Sequence, residues 1–218
     1  MTGLTTHQAG GQASTDETQK NTAWVTIEIP APPSKVFNFL QNTERLFRLN
    51  PYLDISKWEE ISVGKQFHLK ALNEMNGVAY DLVITLESIQ PDASIFLSYN
   101  KGLKRALEIM LQPGAKGSIL TLREHYHEPG GNEENQKEQL KEVDHGLTPW
   151  ASSIREYLLG LERWGGFWPY RWYHERFWLS MRPTHRRIAR MLIWVTVLEF
   201  VVFLFIFTIY WLERGRGL

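Results

Sequence analysis

The chain contains no cysteine. Disulfides, thiolate metal sites and cysteine nucleophiles are excluded together, and a reducing compartment suits the composition. Net charge is also absent: 24 basic residues balance 24 acidic ones. No bulk field favours nucleic acid, which is therefore not an expected partner. The glycine pairs Gly10-Gly11, Gly130-Gly131 and Gly165-Gly166 all lack the strand–turn–helix setting of a phosphate loop, and no serine sits in a nucleophile elbow. Metal ligation needs three or four convergent groups; His125 and His127 offer a pair at a strand end, while His174 and His185 lie among arginines. No metal and no cofactor is expected. Residues 1–21 have neither the apolar core of a signal peptide nor enough apolar surface to offset ordering entropy, so a disordered tail is expected there.

What the chain does have is a long apolar run. From Met191 to Leu212 only Glu199 carries a formal charge. About twenty apolar residues rising roughly 1.5 Å each match a hydrocarbon core roughly 30 Å thick. Trp194 near one end and Tyr210 with Trp211 at the other stand where an aromatic belt stands. Arg182, Arg186, Arg187 and Arg190 crowd the near side, against Arg214 and Arg216 beyond. The expectation is one transmembrane helix over 184–213 with a short tail at 214–218. The protein is then a single-pass, tail-anchored protein of the cytoplasmic (inner) membrane, with its main domain on the cytoplasmic side.

Ahead of the span lies an aromatic, arginine-rich stretch. Six of the nine tryptophans occur from Trp164 onward. Within 166–183, Tyr170, Tyr173, Phe177, Trp178 and Met181 recur at helical spacing, with Arg171, Glu175, Arg176 and Arg182 turned away. Together with Trp168, Trp172, Arg186 and Arg187 these residues are expected at the membrane interface, rings buried and guanidiniums meeting phosphates. The same residue types also mark protein interfaces, so a partner's surface is the alternative. Gly165-Gly166 reads as a hinge, and Pro183 as the bend into the span.

The chain before it reads as one domain over 22–165. Thr22 to Ile29 alternates as a strand, Pro30 to Pro33 stops it, and Ser34 is placed to cap a short helix with Val36, Phe37, Phe39 and Leu40. A second helical turn, Thr43 to Leu49, ends at Asn50-Pro51. Six strands follow: Leu53–Ile61, Lys65–Leu72, Val78–Ile89, Ser94–Asn100, Leu103–Leu111 and Ser118–His127. Period-two alternation with tight turns describes an antiparallel meander with one buried face. After a polar loop comes helical sequence, with a break expected near His145-Gly-Leu-Thr-Pro149, and then a stripe of Trp150, Ile154, Tyr157, Leu158, Leu161 and Trp164.

This order, with Thr26 to Leu40, Asn50-Pro51 and Trp150 to Trp164 as its supporting residues, resembles the START-like (SRPBCC) superfamily. That superfamily includes the polyketide cyclase/dehydrase family and the birch-pollen-allergen-like proteins. The resemblance implies an α+β helix-grip fold: a curved antiparallel sheet around a long final helix, with an apolar cavity between. A likeness in architecture alone extends to the START-like family associated with carbon-monoxide dehydrogenase, whose members have membrane-binding tails and are linked to quinones and to recruiting enzymes.

The expected cavity lining is Phe37, Phe67, Leu69, Tyr80, Leu82, Ile84, Leu120, Leu122, Tyr126, Ile154 and Leu158, which suits a hydrophobic small molecule. Glu124 alternates onto that face and is the weak candidate for a catalytic acid or base; the plainer expectation is a solvated or arginine-paired carboxylate. Glu108 has the same ambiguity. Glu199 is costly in a bilayer and suggests a contact with another membrane helix. Three functions are therefore expected in order: a tethered module binding a lipid, quinone or isoprenoid among membrane lipids and an integral-membrane complex; an accessory subunit of such an assembly; and a cyclase or dehydratase.

Overall fold

A computed structural model describes residues 21–127 and 133–215, with the side chains of 133–145 and of His174, Glu175, Glu213 and Gly215 outside the description. Residues 1–20 of the expected disordered tail, most of the polar loop after His127 and the last three residues of the C-terminal tail lie outside the described residues.

The elements run β1 (Thr22–Ile29), α1 (Pro33–Leu40), α2 (Thr43–Arg48), β2 (Leu53–Ser62), β3 (Gln66–Asn73), β4 (Ala79–Gln90), β5 (Ser94–Tyr99), β6 (Lys104–Gly114), β7 (Gly117–Tyr126) and α3 (Glu133–Trp164). Next come α4 (Trp168–Tyr173), a π-helical turn (His174–Trp178) and α5 (Pro183–Gly215). The chain forms two compact units, which divide after Ser180.

The first unit is an α+β structure on one seven-stranded curved sheet, ordered β1-β7-β6-β5-β4-β3-β2 and antiparallel at every pairing. Alternating residues put Leu69, Leu82, Ile84, Leu97, Leu107, Ile109, Leu120 and Leu122 on one face, and all are buried. Val36, Phe37, Leu40, Leu46 and Phe47 from α1 and α2 join them, with Leu147, Trp150, Ala151, Ile154 and Leu158 of α3. Bulges interrupt β2, β4 and β6 and bend their strands.

Two local expectations are corrected. Ser34 does not cap α1; Pro32 is the N-cap and its ring has no atom to make a side-chain bond, while Pro33 in the first turn brings its φ already set and has no N–H to satisfy. Nor does α3 break near Pro149. The helix carries the proline through, one main-chain donor short, and Trp150 beside it is anchored by its Nε1 donating to the Leu46 carbonyl at 2.9 Å.

The second unit is dominated by α5. Its segment Pro183–Leu212 is long and apolar enough to cross a membrane, with a mean hydropathy of 2.6 in its most apolar window and none of that window buried. Thr196 and Thr208 donate their hydroxyls to the carbonyls of Leu192 and Leu204 at 2.9 and 2.7 Å. Pro183 is the first residue of the helix rather than a bend ahead of it.

Gly117, between β6 and β7, has a φ of +153°, and a Cβ there would collide with the Ile29 carbonyl oxygen and stand 2.7 Å from the Ala31 nitrogen. Gly64 has φ +66° but open space around it. Chemical denaturation should therefore find Gly64→Ala costing about 1–2 kcal/mol, from left-handed backbone strain alone. Gly117→Ala should cost about 3 kcal/mol or more, since backbone atoms must also move.

Candidate functional site

The buried face of the sheet is not filled to its end. A cavity of about 90 Å³ opens between α2, α3 and strands β2 to β7. Phe47, Leu53, Leu69, Leu82 and Trp150 form its apolar wall, and Tyr52, Tyr80, Tyr99 and Tyr126 add rings with hydroxyls. Asn50, Asn73, Lys101, Lys104 and Glu124 supply the polar groups, and Met75, Gly102, Leu103 and Gly146 complete the lining. Met75, Lys101, Gly102 and Leu103 are exposed and mark the mouth.

Gly146 leaves part of this space unfilled. The α3 stripe Trp150–Ile154–Leu158 extends one turn back to this residue, which has no side chain to contribute, and a Cβ there would meet nothing within 4 Å. Below it Phe47 packs its ring against Trp150 at 5.5 Å and edge-on to Tyr99 at 6.4 Å.

Glu124 is the chemical centre. It is 1% exposed, on the same face as Leu120 and Leu122. Lys104 Nζ donates to Oε1 at 2.5 Å, and the Tyr126 hydroxyl donates to Oε2. The expectation of a solvated or arginine-paired carboxylate is corrected: the partner is a lysine, and the carboxylate is buried. A bulge brings that lysine in. Regular alternation from Leu107, Ile109 and Leu111 would turn Arg105 inward, but the register shift between Lys104 and Ala106 pairs Lys104 with Tyr126 and leaves Arg105 exposed. Tyr99 stands close enough to feel Glu124. Removal from water, then the charge of Glu124 and the neighbouring Tyr80, raise its phenol well above the usual value, so it remains a neutral hydroxyl at physiological pH.

Of the residues expected to line the cavity, Leu69, Tyr80, Leu82 and Tyr126 do so. Phe37, Ile84, Leu120, Leu122, Ile154 and Leu158 are instead packed solid in the core, where side chains from sheet and helices interdigitate without a void. Phe67 stacks on Trp58 at 5.3 Å, away from the cavity. Phe47, Tyr99, Lys104 and Trp150 are not among the expected lining residues. Period-two alternation from Ile95 and Leu97 points to Tyr99; no such signal exists for Lys104.

Glu108 faces the opposite side of the sheet. Arg123 Nη1 donates to it at 3.2 Å, and His125 Nε2 lies at 3.4 Å. Among the described residues no three His, Asp or Glu side chains converge as metal ligands.

The aromatic stretch belongs to the first unit. Gly165-Gly166 forms a turn, and α4 gives way to the π-helical turn rather than continuing as one amphipathic helix. Tyr170, expected at the membrane interface, turns inward; its hydroxyl occupies the space that a Gly160 Cβ would need, and partial burial raises its phenol pKa. Trp178 is half-buried, while Trp168, Trp172, Tyr173 and Phe177 are exposed. In the second unit Arg182, Arg187 and Glu199 are exposed, and Arg186 Nε donates to the Met181 carbonyl at 3.0 Å.

No family model matches the chain, and no curated protein matches it. Solved structures do. A protein from Nitrosomonas europaea aligns at 16% identity and a TM-score of 0.50, over 66% of this chain and 97% of its own. XoxI from Bacillus cereus aligns at 15% and 0.50, over 65% and 98%. A protein from Rhodobacter sphaeroides aligns at 12% and 0.50, over 67% and 97%. At such identities the likeness shows the fold alone. Each neighbour is matched over nearly its whole length, while about a third of this chain has no counterpart in it.

If Glu124 is held as an ion by Lys104, removing the lysine strands a buried charge. Lys104→Met should cost about 2–3 kcal/mol in chemical denaturation, at the low end for a buried pair because water partly reaches the lysine. Lys104→Met with Glu124→Leu should be more stable than Lys104→Met alone. A double variant no better than the single would contradict the ion pair.

Proposed function

We propose that the chain is a membrane-tethered START-like module that binds a neutral, largely apolar molecule, such as a lipid, quinone or isoprenoid, at the cytoplasmic face. The observation that carries this reading is the buried carboxylate of Glu124, held by Lys104 and Tyr126, in the wall of a largely apolar and tyrosine-lined cavity. A carboxylate removed from water is an expensive way to fill a core even when a lysine reaches it, and an apolar side chain of similar volume stabilises as well or better. Its presence beside a void favours recognition over packing. The neutral hydroxyl of Tyr99, with the Tyr80 hydroxyl beside it, suits the carbonyl or hydroxyl end of a ligand. A cavity of about 90 Å³ has room for roughly six to nine waters, so one end of such a molecule enters and the rest leaves by the mouth. Both Glu124 oxygens are engaged, which favours binding over the cyclase or dehydratase alternative. Native mass spectrometry of the detergent-extracted chain should show a small apolar adduct. Gly146→Leu should remove it while leaving thermal stability equal or higher, since the new side chain enters open space. A chain without adduct, or an adduct unaffected by Gly146→Leu, would sink the reading.

A second reading, an accessory subunit of an integral-membrane assembly, is favoured by Glu199. Its carboxyl is exposed in the middle of an apolar helix and makes no hydrogen bond among the described residues. A charged side chain at the bilayer centre costs about 2.5–3.5 kcal/mol on insertion scales, which a polar group on another helix offsets. Glu199→Leu should therefore release a membrane protein that co-purifies with the natural chain. Retention of every such partner would remove the reading.

A further inference from the structure

The surface around α4 has an apolar content that packing within its own unit does not explain. Trp164, Phe167, Trp168, Trp172, Tyr173 and Phe177 are between 37% and 75% exposed, and large rings outside a core mark an interaction site when they are contiguous. Trp172, Tyr173 and Phe177 are contiguous. Phe177 packs edge-on to Trp172 at 5.0 Å and stacks with Tyr173 at 6.3 Å.

The patch is also held in place. Tyr170 tucks its hydroxyl over Gly160 of α3, and Leu179 at the far end is 4% exposed and part of the core cluster. Both anchors belong to the same unit as the rings, so the rings face outward because the segment is pinned there.

We infer that this patch lies in the headgroup layer of an anionic phospholipid bilayer and packs its rings among the acyl-chain ends. Charge selects that occupant. Between Arg163 and Arg190 the sequence carries seven arginines and a single acidic residue, Glu175, in a chain whose overall charge is zero. Arg163, Arg171 and Arg176 lie among the rings and are exposed. Trp and Tyr rings beside guanidiniums match the boundary where apolar chains meet phosphates. Chain length makes the contact reachable: Phe177 lies six residues before the start of α5, and the helix runs eight more to Met191, a tether of at most about 35 Å. The inference is independent of any ligand in the cavity.

The test is amide hydrogen exchange over residues 164–180 of the full-length protein in nanodiscs of phosphatidylcholine alone, and of phosphatidylcholine with about a third phosphatidylglycerol. Basic residues near an anionic surface contribute roughly fivefold each, so exchange should slow by tenfold or more when the anionic lipid is present. Arg171→Gln with Arg176→Gln should abolish most of that difference. Trp168→Ser with Trp172→Ser should raise exchange of the segment in both lipids, with the amides of β6 and β7 unchanged as the control for folding. Equal exchange in the two lipid mixtures would overturn the inference. So would protection seen in native membranes but absent from both nanodiscs, which would assign the patch to a protein.

Discussion

The first unit depends on the seating of one helical stripe. Leu147, Trp150, Ala151, Ile154, Tyr157 and Leu158 are all buried, and between them they close the face of a sheet that would otherwise lie open. A single sheet has no second layer of its own, so the helix supplies it. Where the stripe is made of large side chains the interior is solid; where it reaches Gly146 the interior is empty. The same periodicity that builds the core thus sets the position of the cavity, one turn before Trp150.

Glu124 is tolerable within that interior only because its neighbours are polar in the right places. An isolated carboxylate removed from water would neutralise or unfold its surroundings. Here one oxygen takes the Lys104 ammonium and the other the Tyr126 hydroxyl. The bulge in β6 is the backbone feature that makes this possible, since it reverses the facing of the strand's first residues. On the opposite side of the sheet Glu108 meets Arg123 and His125 in half-exposed positions, where water already solvates charge and an ion pair contributes little.

The strands and the final helix are legible in the sequence because they obey simple periods: alternation in β3 to β7, and a recurrence of three to four residues from Trp150 to Leu161. The inward facing of Glu124 follows from the same count. What alternation cannot show is a change of its own phase. Lys104 reaches Glu124 through a register shift, and no residue type announces that shift in the sequence. Glycine misleads in a related way. His145-Gly146 and Pro149 look like helix breakers, and intrinsic propensity says so; tertiary contacts of Leu147 and Trp150 override it. The missing side chain at Gly146 then becomes a void in the packing. Core and cavity lining are inseparable for a similar reason, because Ile84 and Leu82 carry the same pattern and differ only in what stands opposite them. Of the aromatic segment, composition reveals the residues and their exposure in part, but not the inward turn of Tyr170, which depends on the bare backbone at Gly160.

The two carboxylates set in apolar surroundings, Glu124 and Glu199, make the final contrast. Glu124 is supplied with a donor on each oxygen from within its own unit. Along α5 the hydroxyls of Thr196 and Thr208 are likewise satisfied by the carbonyl four residues back. An ionised carboxylate has no proton to give a backbone carbonyl, and the neighbours of Glu199 one turn away, Val195, Thr196, Val202 and Phe203, include a single polar group, whose proton is already given to Leu192. A helix that only tethered the domain would be better served by leucine at that position. The energetic logic that places a lysine beside Glu124 therefore calls for a donor beside Glu199 as well. Since α5 itself offers none, the reading in which another membrane helix provides it rests on the same physical requirement as the buried cluster of the first unit.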